Sequence, residues 1–224
     1  MQRKYRNYSF YAIMILAVLD ICLFQKVKNK YEAVNALMVQ DKEVAITFDD
    51  GPNPDYTAYL LEGLKERGVS ATFFLLGKEA EKYPELVLQM YEEGHLVATH
   101  AYEHVNLCEL SDEKACWQVE KTNDIIEAIT GERPPYLRPP FGCWKENLDC
   151  ETEMIKVLWN IDPLDWNVHN STEIAKRVLN KVKDGDIILL HDASESSVNA
   201  AFKIIEALSK EGYRFVTIDE LIVN

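Results

Sequence analysis

The sequence predicts an α/β fold, a distorted and incomplete (β/α)7 barrel with an N-terminal membrane-anchor helix. Three observations predict it. From residue 43 the chain alternates short β-rich runs with stretches of helical periodicity, the pattern of a parallel sheet joined by helical crossovers. Ionisable residues recur where those runs end, which is where barrels of this kind collect their chemistry. Ahead of them lies an apolar run behind a basic start.

The N-terminus comes first. Arg3, Lys4 and Arg6 precede YSFYAIMILAVLDICLF, residues 8–24, a run of 17 residues with one charge, Asp20. As a helix it would span about 26 Å, slightly less than a bilayer core. The string VNA at 34–36 lies far from the run, behind Lys26, Lys28 and Lys30. An uncleaved single-pass anchor is therefore expected, with the main domain outside the cell membrane; cleavage would give a secreted protein. A buried helix of the main domain is the competing reading. Basic residues flank both sides, so charge does not settle orientation. The chain divides into a basic, apolar and linker segment, 1–40, and a domain, 41–224.

The strand candidates follow in order. They are EVAITF (43–48), ATFFLLG (71–77), GHLVATH (94–100), PYLRPP (135–140), KVLWNID (156–162), DIILLHD (186–192) and YRFVTID (213–219). Between the third and fourth, SDEKACWQVEKTNDIIEAITG (111–131) reads as a helix with Ser111 as its N-cap and an acidic first turn. Between the last two, SVNAAFKIIEALSKEG puts Ala201, Ile204, Ile205 and Leu208 on one face and stops at Gly212. Seven units, not eight, imply an incomplete or distorted barrel.

With 224 residues, 47% of them apolar, the chain is of ordinary globular composition. Its net charge of −13 argues against a nucleic-acid partner, because phosphate binding needs a basic surface. A monomer is expected. Four of the five cysteines, Cys108, Cys116, Cys143 and Cys150, fall in the main domain without a C-x-x-C pair, which argues against a cysteine zinc site. An exported domain permits disulfides. Cys143–Cys150 is the closest pair in sequence and Cys108–Cys116 its complement; free, partly buried thiols fit as well.

Asp49 and Asp50 close the first strand candidate, ahead of the turn Gly51-Pro52-Asn53-Pro54. Turn chemistry alone explains two such carboxylates. Their company at other strand ends does not follow from turns: His100, Arg138, Asp162, Asp165 and His191. HAYEH places His100 and His104 four apart, close enough on one helical turn to share a metal. The same string fits the inverzincin protease pattern with Glu103 as base, but that pattern needs a long helix, and HLVAT reads as a strand. Asp50 is the natural third ligand. A His₂-carboxylate set leaves a position open for water, and Asp49 is then free to act as base.

TFDDGPN, HAYEH, RPPFG, DPLDW and LLH, in that order, resemble the five motifs of the polysaccharide deacetylase family, the NodB-homology domain or carbohydrate esterase family 4. The resemblance covers about residues 43–221. It implies hydrolysis of N-acetyl or O-acetyl groups on wall glycans, chitin or xylan. It implies Asp49 as catalytic base and Asp50, His100 and His104 as metal ligands, with zinc the expected metal and cobalt an alternative. Arg138 would orient Asp49, and the backbone N–H of Phe141 would help bind the oxyanion. Asp165, or in competition Asp162, would pair with His191, which protonates the leaving amine. Trp166 and Leu189 would wall the acetyl pocket. One departure is visible: Ala101 stands where the family usually has Ser or Thr, which removes a hydroxyl beside the first metal histidine.

Other residues read as structural. His95 precedes a strand, Trp117 falls in a helical pattern and suits packing, and Trp144 either packs or stacks on a sugar ring. The expected activity is metal-dependent removal of N-acetyl groups from an amino-sugar polymer, with peptidoglycan N-acetylglucosamine foremost. An O-acetyl xylan esterase, a chitin-oligomer deacetylase and a non-catalytic glycan-binding protein are the alternatives.

Overall fold

Alternation decides the first strand. β1, Lys42–Asp49, sends Val44, Ile46 and Phe48 into a large apolar core shared with the helices. Its other face carries Ala45, Thr47 and Asp49. Ala45 joins Phe74, Ala98, Tyr136 and Val157, one residue from each neighbouring stave, and Ile218 completes this interior plug. The computed structural model describes residues 25–28, 30, 42–145, 148, 150 and 153–223.

After β1 come α1 (Thr57–Arg67), β2 (Thr72–Leu75), α2 (Gly77–Lys82), α3 (Pro84–Glu92), β3 (Leu96–Thr99), α4 (Asp112–Thr130) and β4 (Tyr136–Leu137). Then follow β5 (Ile155–Lys156), α5 (Ser171–Leu179), β6 (Asp186–His191), α6 (Glu195–Lys210), β7 (Tyr213–Phe215) and α7 (Ile218–Val223). Ser111 caps α4 by accepting from Lys114 N–H, and Gly131 ends it in the left-handed region, as the sequence predicts. Ser194 caps α6 in the same way through Ser197 N–H.

The seven strands form one parallel sheet, ordered β5-β4-β3-β2-β1-β6, with β7 also beside β1. β7 and β2 divide one edge of β1: β7 pairs with Lys42–Val44 and β2 with Thr47–Asp49. The segment after β5 closes the ring. Val157 N–H donates to Leu137 C=O at 2.9 Å, while Ile161 N–H reaches Ile187 C=O at 3.1 Å.

Several strands are shorter than the sequence predicts. Pro134, Pro135, Pro139 and Pro140 bracket β4 and supply no N–H, which leaves it two residues long. YRFVTID splits, because Glu220 accepts from Thr217 N–H and so opens α7 at Ile218. The cysteine pairing also differs from the nearest-neighbour expectation. Cys108 joins Cys143 and Cys116 joins Cys150. The loop after β4 lies over the start of α4, so each cysteine meets a partner about 35 residues away, not the one next in sequence. Two compact units are distinguished, Met1–Asp41 and Lys42–Asn224. In the first, residues 25–28 and 30 are helical. The apolar run 8–24 lies outside the described residues, and among the described residues no helix is long and apolar enough to cross a membrane.

Candidate metal centre and catalytic cleft

Register brings the site together. Asp49 faces His191 across the β1–β6 ladder. His100 N–H donates to Leu75 C=O at 2.8 Å and Arg138 N–H to Thr99 C=O at 2.9 Å, so the ends of β2, β3 and β4 stay in step.

Arg138 is fully buried, with its guanidinium 4.0 Å above the Phe74 ring that tops the interior plug. Nη1 donates to Thr47 Oγ1 and to Asp49 Oδ1, both at 2.7 Å, and Nη2 to Leu158 C=O at 3.1 Å. Burial lowers the guanidinium pKa, and the charge and hydrogen bond of Asp49 act against that. One oxygen of Asp49 is thereby held and the other left for chemistry.

His100 is buried, and its Nδ1–H donates to Arg138 C=O at 2.6 Å. This leaves the Nε2 lone pair facing Asp50 Oδ1 at 3.5 Å. Burial pushes the His100 pKa down, against the charges of Asp49 and Asp50, and so favours the neutral imidazole that a metal ligand requires. His104 Nε2 lies 3.8 Å from the same Asp50 oxygen, and its ring meets Phe141 edge-on with centroids 4.5 Å apart. Asp50 Oδ1 is buried and accepts no hydrogen bond. One ligand atom from each of Asp50, His100 and His104 lies within 4.8 Å of the others. An unpartnered carboxylate oxygen between two imidazole nitrogens fits a divalent metal, with room for a further ligand.

His191 lies on the other side. Its Nδ1 and its backbone N–H bond the two oxygens of Asp165, each at 2.8 Å, and its Nε2 lies 3.9 Å from Asp50 Oδ2. Burial opposes charge on the imidazole, but the hydrogen bond and charge of Asp165, with Asp49 and Asp50, outweigh it and raise the pKa to about 9. Asp162 does not compete: it accepts from Leu164 N–H at 2.7 Å in its own turn.

These groups open into a cleft of about 500 Å³ whose walls include Phe141, Trp159, Asp162, Trp166 and Leu189. Trp166 is exposed and Leu189 buried. Asp50, Ala101, Phe141 and Leu164 all have positive φ, between 58° and 74°, and each lies at or beside a site residue. Such backbone costs of order 1–3 kcal/mol per residue and persists where surroundings over-determine it. Ala101 is buried among Leu107, Ala115, Val119 and Leu137, so its methyl serves an apolar cluster where a hydroxyl would need a partner.

Sequence reasoning missed three contributors. Trp159 walls the cleft, Thr47 takes half of an Arg138 fork, and Asp192 is buried beside His191. Only Asp192 had a signal, an acid directly after a strand-end histidine. Glu103 is exposed, and its N–H donates to Gln118 Oε1 at 2.7 Å; the residues around it form bends, not the helix a protease motif needs. His95 is structural: it accepts from Ala71 N–H at 3.1 Å, and burial pushes its pKa down to about 4. Trp144 packs against the Leu107 cluster. Trp117 is half exposed, edge-on to Tyr102, and lies outside the core clusters formed by the described residues.

Comparison with known proteins adds independent findings. The family model described as polysaccharide deacetylase matches residues 37–155. A peptidoglycan-N-acetylmuramic acid deacetylase, PdaC of Bacillus subtilis, is 43% identical over 180 residues, 80% of this chain and 38% of that protein. A peptidoglycan-N-acetylglucosamine deacetylase of Bacillus cereus is 39% identical over 186 residues, 80% of this chain and 68% of its own length. The solved structure of PdaC superposes with a TM-score of 0.78 at 42% identity, covering 81% of this chain and 90% of that one. The chain thus spans about two fifths of full-length PdaC and two thirds of the Bacillus cereus relative.

Proposed function

The chain belongs to the polysaccharide deacetylase family, and we propose that it hydrolyses N-acetyl groups of an amino-sugar polymer, peptidoglycan N-acetylglucosamine foremost. The observation that carries this reading is the separate clamping of two proton-transfer groups on either side of Asp50. Arg138 holds Asp49 and Asp165 holds His191. Asp50, His100 and His104 would hold the metal, zinc foremost. When bound, such a metal polarises the acetyl carbonyl and makes water a nucleophile near neutral pH.

The protein's own groups supply the remainder. Asp49, with Oδ2 free of Arg138, takes the proton from the attacking water. The Phe141 N–H, on the turn that borders the cleft, donates to the developing oxyanion. His191, charged through Asp165, gives its Nε2 proton to the amine nitrogen as the C–N bond breaks. An amine is a poor leaving group until protonated, so the last step needs an acid on the far side from the base. Trp166 and Leu189 enclose the acetyl methyl.

The relative PdaC is named for N-acetylmuramic acid, whose lactyl group can carry a carboxylate. Among the described residues that wall this cleft there is no Lys or Arg to pair with it. The N-acetylglucosamine ring carries no such carboxylate and needs no Lys or Arg there. We also infer that residues 8–24, behind Arg3, Lys4 and Arg6, hold the enzyme at the membrane near its polymer. Acetate release from peptidoglycan, chitin oligomers and acetyl xylan tests the activity. Release from N-acetylglucosamine residues, lost in Asp49→Asn, is expected. Release only from xylan would make it an esterase, and none from any glycan, with glycan binding retained, would make it a binding protein.

A further inference from the structure

Asp192 takes no part in the reaction described above, yet it lies directly after His191 and is only 1% exposed. Its Oδ2 accepts a hydrogen bond from Thr57 Oγ1. Thr57 Oγ1 in turn accepts from Asn53 N–H at 2.7 Å. Thr57 opens α1 and Asn53 lies in the turn that follows Asp50. Gly51 lies against the same carboxylate: a Cβ there would fall 2.5 Å from Asp192 Oδ2 and 2.9 Å from Oδ1. Only glycine permits that approach. On its far side Gly51 C=O accepts from Leu76 N–H at 3.1 Å. The turn carrying Asp50 is thus gripped between the end of β2 and one buried carboxylate just beyond β6.

Burying a carboxylate is costly unless its oxygens are bonded, and Asp192 Oδ1 has no hydrogen-bond partner. An apolar side chain of similar size would fill the space without that cost. What it could not do is accept from Thr57. Asp50 meanwhile sits at φ 74°, a backbone that holds only where its surroundings fix it.

We propose that Asp192 is a positioning residue for the metal centre: through Thr57 and its contact with Gly51 it fixes the turn after β1 and aims the Asp50 carboxylate at His100 and His104. The proposal rests on the reading of those three residues as ligands. It differs from the role of Asp165, which acts on His191.

Zinc affinity of the full chain, measured by competition with a chromophoric chelator, tests it independently of turnover. Asp192→Ala removes the acceptor, and Thr57→Val removes the donor, and with it the acceptor for Asn53 N–H, while keeping its shape. Each is expected to weaken zinc binding about 10–100-fold, the usual effect of losing a group that supports a ligand. Asp192→Asn and Thr57→Ser retain acceptor and donor and are expected to bind zinc close to the parent level. Circular dichroism reports folding; if Asp192→Ala does not fold, the Thr57 pair decides. Unchanged zinc affinity in Thr57→Val overturns the proposal, and so does a Thr57→Ser variant as weak as Thr57→Val. A parent chain that binds no zinc overturns the ligand assignment and this inference with it. A parent that binds zinc but releases no acetate from any glycan overturns the proposed activity alone.

Discussion

The two halves of the rim hold their residues by different means. On one side, β1 and β6 share six consecutive register pairs, Val44 with Asp186 through Asp49 with His191. Asp49 and His191 are placed there by the backbone ladder, and Asp50 follows directly in the turn that packs on Asp192 and bonds Leu76. On the other side, a single register pair joins β3 to β4 and two join β4 to β5. His100, His104, Arg138 and Phe141 depend on what replaces the ladder: two disulfides, the small cluster around Leu107, and side-chain bonds such as that from His100 Nδ1–H to Arg138 C=O. Arg138 crosses between the halves, from β4 to Thr47 and Asp49 on β1. Ladders fix side chains at no cost in sequence variety, whereas loops need specific residues to do the same work.

The largest expected effect joins the halves. Asp50→Ala from the ladder side, and His100→Ala or His104→Ala from the loop side, should each strip the metal and abolish turnover. Elemental analysis that finds stoichiometric metal in all three would mean the site is misassigned. Next comes Asp49→Asn, which removes the proposed base while leaving the proposed ligands. Turnover should fall roughly 10²–10⁴-fold with metal retained; loss of metal would make Asp49 a ligand instead.

The loop side should be the one sensitive to reductant. Replacing Cys108 and Cys143 by Ala opens a link across 35 residues and should lower stability by about 2–4 kcal/mol, read as a lower denaturant midpoint. Zinc affinity should weaken too, because the link ties the turn beyond His104 to the turn bearing Phe141. A variant with parental midpoint and affinity would show that packing alone holds that rim.

A smaller effect sharpens the ladder side. His191, raised to about 9, lies above its ordinary value. Its pairing with Asp165 therefore stabilises the fold fully below about pH 6.5 and is lost as pH rises through the folded value. For the same reason the His191 imidazole, the proposed acid, stays protonated in mildly alkaline solution. In Asp165→Asn the charge is gone and burial opposes the imidazolium, so the alkaline limb of the pH–rate profile should move to lower pH. The acidic limb should move little. An unmoved alkaline limb would remove His191 from the role of acid. Smallest of all is Glu103→Gln, on the exposed side of the loop, which should retain most activity; a collapse like that of Asp49→Asn would give Glu103 a catalytic part.

Legibility followed the same division. The ladder side could be read because strand-end residues announce themselves one by one: Asp49, Asp50 and His191 end apolar runs, and parallel pairing then brings the ends together. The loop side was legible as motifs but not as structure. The prolines around β4 marked a strand, yet their missing N–H groups cut it to two residues. Cysteine spacing suggested neighbours in sequence, whereas the loop after β4 folds back on α4 and pairs distant ones. Trp117 fitted a helical pattern but lies outside the apolar stripe, because periodicity tells which residues share a face and not which face is covered.

The sequence by itself determined the strand–helix order, the cap at Ser111, and the residue types that suit a metal and two proton transfers. These are local properties: periodicity, side-chain hydrogen bonding to nearby backbone, and the intrinsic chemistry of Asp and His. Tertiary structure alone decided that Asp165 and not Asp162 meets His191, that Arg138 is buried over Phe74, and that Asp192 grips the turn bearing Asp50. Each of these depends on distances between segments remote in sequence. Burial, hydrogen-bond choice and pKa are set by neighbours that only the closed barrel brings within a few ångströms.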